Sequence, residues 1–464
     1  MKRVYTTRRD MLRSVGFGGL GLAAGCCSPE FGAASGNAST DGRWYRGNLH
    51  MHTYWSDGSA LPEQAIGMYK NLGYDFLALT DHNVFADDRG RWMPVVEQTK
   101  GWPPQVSKAI FESYVREFGQ EAETRTRDGK TEVRLKTYAE MRRRFEEPGK
   151  FLLMPGVEIT QHIKEKDGVE VHVNYINLPD VAPCVKGGPL NKNIEGGRDV
   201  AEVLRENAEQ VHGMAQAMRR PYLLMLNHPQ WRHWDIQPQH LIDTPEIRFF
   251  ELCNGGSGFT PHSDALSHTT DKFWDAVNAF RCKKGAPLIY GTGTDDTHGY
   301  FNKGGYLGES ALKAWVMVRS STMSAENILA AMAGGDFYTS CGVALDYLDF
   351  SPAKRALRVK VRAEPGVRYK VRFIVTKKNF DTAVRMVEHP PVKGEPKRGM
   401  RVIPVYSGDI GMTAKLVDGP EASYTMKPED LYVRAKIESD LPGRYKAHFY
   451  PLTQAAWTQP YLNR

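Results

Sequence analysis

Cysteine is scarce, six residues in 464, and the six form no CxxC pair: Cys26 and Cys27 are adjacent, while Cys184, Cys253, Cys282 and Cys341 stand far apart. That spacing speaks against a thiolate zinc site or a thioredoxin-type motif and leaves buried free thiols as the plain reading, with one disulfide open in an oxidising compartment. No internal repeat is present. Charge of one sign is also in short supply. The formal net charge of +7 is carried partly by Lys2, Arg3, Arg8, Arg9 and Arg13 at the extreme N-terminus, so the rest of the chain is nearer neutral and makes no strong case for nucleic acid. The run "RRRF" at 142 to 145 lies in a charge-mixed, helical-looking segment and reads as a solvated face. With 41% hydrophobic residues and 11% aromatics the chain can fill a core, which excludes disorder throughout. At this length, one large domain plus a smaller one is expected.

Residues 1–27 are a different material. "TTRRDMLRSVGFGGLGLAAGCC" joins paired arginines, Arg8 and Arg9, to an apolar, glycine-rich stretch too short and too weakly apolar for a stable membrane span. It resembles a twin-arginine export signal. "LAAGC" further resembles a lipoprotein processing site with Cys26 as a candidate acylated residue, although Ala23 stands where leucine is more usual. Periplasm or cell envelope is the location this implies, with lipid anchorage through Cys26 open. Residues 28–42 are small and polar and read as a flexible tether.

Beyond the tether, short apolar runs alternate with helical stretches. "YDFLALTDH", "FLLMPGVEI", "VHVNYINL", "PYLLMLNHP", "IRFFELCNG" and "APLIYGTGTDD" read as strands, and "LPEQAIGMYKNLG" and "DVAEVLRENAEQVHGMAQAMR" as helices. The alternation points to an α/β protein built on a mostly parallel sheet or barrel. Residues 85–148 are charged, interrupt this rhythm and read as an insertion with helices of its own. From about residue 340, "LRVKVRAEPGVRYKVRFIVTKK" and "LYVRAKIES" alternate with period two, which predicts half-buried antiparallel strands.

"RGNLHMHTYWSDGS" places His50 and His52 on one face of an extended segment, followed by Asp57. Alone, an HxH pair in a chain with 14 histidines is more often structural or surface-exposed than a metal site. The other strand ends decide: Asp81 and His82 follow "FLAL", Glu158 lies in "LMPGVEIT", His172 in "VHVNYI", Asn227 and His228 follow "LLML", and Asp295, Asp296 and His298 follow "LIYGTGT". Sites in parallel α/β folds form at the carboxyl ends of strands, so these residues point to one shared metal site.

The order HxH with Asp57, then TDH, "GVE", a lone His, "NHP" and a final DxH resembles the polymerase and histidinol phosphatase (PHP) superfamily of metallohydrolases over roughly residues 44 to 300. "WYRGNLHMHTYWSDG", "GTGTDDTH", "GGDFYTSCG" and "AWTQPYL" look most like its exported carbaryl-hydrolase-like members. The resemblance implies a distorted (β/α) barrel over residues 43–338 and a small β-rich domain over 339–464. It also implies two or three divalent ions: His50, His52, Glu158 and Asp296 at the first, Glu158 bridging to a second held by His172 and His228, and Asp57, His82 and His298 at a third.

Imidazole and carboxylate donors suit Zn, Mn or Fe(II), and a water bridging two such cations becomes a nucleophile near neutral pH. The superfamily resemblance implies hydrolysis of a small-molecule ester, with phosphoesters favoured, and the subgroup resemblance implies carboxylic or carbamate esters as the alternative; a non-catalytic, metal-stabilised envelope binding protein is the reading from another class. Arg232, His233 and Lys303 are candidates for handling the leaving group. Asp81 and Asp295 read as orienters of imidazoles or as turn residues, and Glu251 as a partner to a ligand. His262 and His268 sit in a polar loop and match no ligand position; Trp231 and Trp234 could stack on a substrate or pack under a loop.

Overall fold

The apolar runs that end in polar residues do form strands, but they pair in mixed order. The computed structural model describes residues 42–97, 99, 105–164, 168–194, 198–230, 235–256, 269–302, 305–306, 311–389, 401–443 and 453–464. In one sheet, strands Arg43–Asn48, Phe76–Ala78 and Leu152–Met154 pair in parallel. Arg43–Asn48 also pairs antiparallel with Trp315–Ser320, and from there the sheet runs on through Phe337–Ser340, Thr453–Thr458, Asp430–Pro442, Tyr369–Lys377 and Met412–Asp418.

A second sheet takes the order Lys192–Ile194, Gly156–Ile163, Val169–Ile176, Leu223–Leu226, Phe249–Asn254, Tyr290–Thr294. Its last three strands are parallel, whereas Val169–Ile176 is antiparallel to both neighbours. This corrects the mostly parallel expectation. The connection from Ile163 to Val169 is too short to hold a crossover helix, so these two strands can only form a hairpin.

No ladder among the described residues closes the two sheets into a barrel, so the distorted barrel of the sequence reading is seen here as two open sheets. They share an apolar interior. Tyr45, Phe76, Met154 and Val316 of the first are buried in one cluster with Ile176, Met225, Phe249 and Tyr290 of the second. Helix Val200–Met218 covers the second sheet. Its buried residues Val203, Leu204, Ala208, Val211 and Ala215 repeat at helical spacing, and Asp199 caps its start by accepting from the amides of Ala201 and Glu202.

The charged stretch after residue 85 holds helices Lys108–Phe118 and Tyr138–Phe145, as expected, and also a four-stranded sheet that was not. One of its strands, Thr124–Arg127, is exposed along its whole length and carries no apolar alternation to betray it. The insertion docks through Tyr114, Phe118, Met141 and Phe145, which are buried with Tyr69 and Phe151.

The period-two segments near the C-terminus are antiparallel strands. Leu345–Ser351, Ala356–Val361 and Glu421–Thr425 make a small sheet whose Leu348, Leu357 and Val359 pack on Val371, Phe373, Val433 and Ala435 of the large sheet. None of Cys184, Cys253, Cys282 and Cys341 is in a disulfide. Among the described residues, no helix is long and apolar enough to cross a membrane.

Candidate metal centre

His50 and His52 lie just past the end of strand Arg43–Asn48 and are held extended by the loop that carries Asp296 and His298. Asp296 donates its amide to the His50 carbonyl at 2.9 Å, and His52 donates its amide to the Thr297 carbonyl at 3.0 Å. An extended backbone sends both imidazoles the same way, and their Nε2 atoms stand 3.1 Å apart.

Glu158 Oε2 and Asp296 Oδ1 complete the group. His50 Nε2 is 3.4 Å from the first and 3.3 Å from the second; His52 Nε2 is 3.4 and 3.2 Å away. His50 Nε2, His52 Nε2 and Asp296 Oδ1 thus form a triangle with edges of 3.1 to 3.3 Å, and Glu158 Oε2 stands 3.4 Å from both imidazole nitrogens. Donors about 2.0–2.1 Å from one ion stand about 3.4 Å apart, so the triangle has the spacing of a ligand shell. Glu158 Oε2 is moreover buried and surrounded by imidazoles, with His82 Nδ1 2.7 Å away and no other hydrogen-bond donor satisfying it among the described residues, a setting that suits a cation. The donor set and its geometry fit a divalent metal.

A second group faces solvent. The turn after His52 brings Asp57 back, so that its carboxylate lies 3.6 Å from His52 Nδ1, 3.5 Å from His82 Nε2 and 3.4 Å from His298 Nε2. The rings of His82 and His298 stack on His52 at 4.3 and 4.0 Å. Gly58 allows this turn, since a Cβ there would stand 2.4 Å from the His52 backbone. A third group joins His82, Glu158 and His172. His172 donates from Nδ1 to Glu158 Oε1 at 3.1 Å, and His228 Nε2 lies 3.8 Å from the same oxygen. All nine ligand positions of the sequence reading thus lie around one centre, with His52 and His82 each belonging to two groups and Glu158 reaching from the third group to His50 and His52; His228 approaches Glu158 but joins none of the three.

Asp296 is held at φ 46, a left-handed backbone that costs energy outside glycine. Gly256 lets the opposing chain approach it, because a Cβ there would lie 2.0 Å from the Asp296 carbonyl oxygen.

The charges support one another. Burial opposes ionisation of Glu158 and Asp296, yet the imidazoles around them hold both carboxyls well below their usual range. Burial likewise opposes a proton on His50, but Asp296, Glu251 and Glu158 outweigh it and raise its pKa. His52 is pushed down to about 3 by burial and then by His298 and His82, which leaves it the neutral imidazole that metal binding requires.

Asp81 and Asp295 orient no imidazole and are turn residues. Asp81 accepts from the amides and hydroxyls of Thr53 and Ser56, fixing the turn that presents Asp57. Asp295 accepts from the Tyr74 hydroxyl and the amides of Leu312, Lys313 and Ala314. Glu251 accepts from His50 Nδ1 at 2.6 Å. Sequence reasoning missed Thr160, whose hydroxyl meets His82 Nδ1 at 2.5 Å, and Asn254, which donates to Asp296 Oδ2 at 3.0 Å. It also missed Glu170, 3.6 Å from His172 Nε2; the signal for it was its place two residues before His172 on one strand face. Arg232, His233 and Lys303, together with Trp231, Trp234, His262, His268 and Cys26, lie outside the described residues.

No protein-family model matches the chain, and a search of curated proteins finds no relative. Among solved structures the chain is similar to a two-domain protein from Bacteroides vulgatus described as containing a predicted PHP-like metal-dependent phosphoesterase. The identity is 15% over 86% of this chain and 91% of that one, with a TM-score of 0.35. It is also similar to a protein of Bifidobacterium adolescentis provisionally described as a metal-dependent phosphoesterase, at 16% identity over 57% of this chain and 91% of that one, with a TM-score of 0.27. Likeness this distant assigns no activity, and it gives no support to the carbaryl-hydrolase-like subgroup.

Proposed function

We propose that the chain is a PHP-type, multinuclear metal-dependent hydrolase that acts on ester bonds, with phosphoesters as the favoured substrates. The observation that carries this reading is the convergence of three His/Asp/Glu ligand groups, His50–His52–Asp296, His52–Asp57–His82–His298 and His82–Glu158–His172, joined through His52 and His82, with Glu158 also 3.4 Å from His50 and His52. Divalent cations in such a centre acidify water and draw off charge building on a phosphoryl or acyl oxygen.

The chain's own residues divide the work by depth. His50, His52 and Glu158 are fully buried and would hold the inner ion away from bulk water. Asp57 and His298 have side chains 28% and 37% exposed and would hold the outer one, so a substrate would meet the centre from their side. A structural zinc site is closed and usually thiolate-rich; this one is open and thiol-free, which favours catalysis over a purely binding role. The twin arginines and Cys26 support export to the cell envelope.

The test is turnover of p-nitrophenyl phosphate, p-nitrophenyl acetate and a naphthyl carbamate by protein reconstituted separately with Zn and Mn. Phosphate hydrolysis that disappears in His52→Ala is expected. Acyl or carbamate hydrolysis alone would replace the favoured substrate class, and no turnover on any ester would remove the enzymatic reading.

A further inference from the structure

Glu251 has no accessible surface, yet its two oxygens receive four hydrogen bonds from four different parts of the chain. Oε1 accepts from His50 Nδ1 at 2.6 Å and from the Thr294 hydroxyl at 2.6 Å. Oε2 accepts from the His228 amide at 2.7 Å and from Asn254 Nδ2 at 2.7 Å. Asn254 Nδ2 in turn lies 3.0 Å from Asp296 Oδ2. The strand carrying Glu251 shifts register against Tyr290–Thr294 between Glu251 and Cys253, an irregularity of the kind that re-aims a side chain beside a site.

We propose that Glu251 is the positioning residue of the metal centre, a single carboxylate that fixes the tautomer of His50 while pinning the backbone of His228 and, through Asn254, the carboxylate of Asp296. This rests on reading the cluster as a metal centre. An ionised carboxylate only accepts, so its contact with His50 Nδ1 requires the proton there. Nε2, which faces His52, Glu158 and Asp296, is then left with its lone pair for a cation. His50, His228 and Asp296 come from the ends of three different strands, and Glu251 is the group that touches or indirectly holds all three.

Glu251→Gln keeps the size but turns one acceptor into an N–H donor. All four partners donate, so one pair must face the amide N–H2. Either His50 changes tautomer and carries a proton on Nε2, or His228 and Asn254 lose their acceptor. Apparent affinity of the full-length apo-protein for Zn and Mn, measured by competition with a chromophoric chelator, is expected to fall 10- to 100-fold in Glu251→Gln. Thr294→Val removes one of the four bonds and, should Glu251→Gln fail to fold, reads the same effect as a smaller loss. Imidazole 15N spectra of the Zn-loaded protein give a readout that a merely structural role leaves unmoved: a protonated Nδ1 on His50 in the wild type, lost or mixed in Glu251→Gln. Wild-type affinity and an unchanged His50 tautomer in Glu251→Gln would overturn the role of Glu251 alone. A wild-type chain that takes up neither Zn nor Mn would overturn the metal reading, and this inference with it.

Discussion

At the scale of single residues, two buried carboxylates away from the ligand shell have opposite consequences. Asp81 is surrounded by donors from Thr53 and Ser56, so Asp81→Ala removes the clamp on the turn that delivers Asp57. The outer ligand group, which contains Asp57, is expected to lose at least ten-fold in metal affinity, and the inner group, which shares only His52 with it, to lose less; titration with Co(II) followed by absorption separates the two. Glu63 has no such set of donors. Burial pushes its carboxyl up to about 7, and the hydrogen bond from the Tyr114 hydroxyl and the more distant Lys136 and Arg144 only partly oppose this. A carboxyl whose pKa is raised on folding keeps in the native state a proton that the unfolded chain has released. Its contribution therefore falls as pH rises from about 4.5 to about 7 and is flat above, a loss on the order of 3 kcal/mol. Glu63→Gln is expected to melt above the wild type at pH 8, with the difference closing toward pH 5. Parallel melting curves at both pH values would show that Glu63 does not titrate in this window.

Between elements, one contact that ties the C-terminal strands to a helix is ionic and buried. Arg434, on strand Asp430–Pro442, is 1% exposed and donates from Nε and Nη2 to Asp275 on helix Thr270–Lys283 at 2.9 and 2.6 Å, with Asp271 2.9 Å from its Nη1. The Tyr432 hydroxyl donates to the same Asp275 carboxylate at 2.9 Å. Removing one partner of a buried pair leaves the other charge poorly compensated, so Asp275→Ala is expected to cost on the order of 3 kcal/mol, read from the urea unfolding midpoint. A change within about 0.5 kcal/mol, as is usual for surface positions, would mean that water replaces the carboxylate there. This contact was not legible in the sequence. Asp275 and Arg434 look like ordinary charges of an amphipathic helix and an alternating strand, and only the fold brings them together. The same limit hid the four-stranded sheet of the insertion, whose exposed "TRTR" strand has no apolar period, and the reversal of Val169–Ile176. The ligands, by contrast, were legible because each is announced locally: His50 and His52 share a strand face, and His82, His228, Asp296 and His298 follow runs of buried apolar residues.

For the whole molecule, the sequence suggested two domains in succession, and the ten-stranded sheet joins strands from both stretches. Strand pairing of that range depends on residues hundreds of positions apart, which no local pattern encodes. One consequence concerns stability. A ligand that binds only the folded state raises its stability in proportion to the logarithm of its concentration over Kd, so a metal held by donors from both ends of residues 50 to 298 should act on the whole unfolding transition. Treatment with a chelator is expected to lower the melting temperature by several degrees, and Zn or Mn to restore it; an unchanged melting temperature would argue that the ligand groups contribute nothing to the folded state.

Metal uptake by the purified full-length chain tests the central claim most directly. Apo-protein titrated with Zn and with Mn, its bound metal counted by elemental analysis after gel filtration, is expected to retain at least two equivalents in the wild type. His52→Ala and Asp296→Asn, each folded by circular dichroism, should retain fewer. Retention of less than one equivalent by the wild type, or an unchanged count in both variants, would contradict the account.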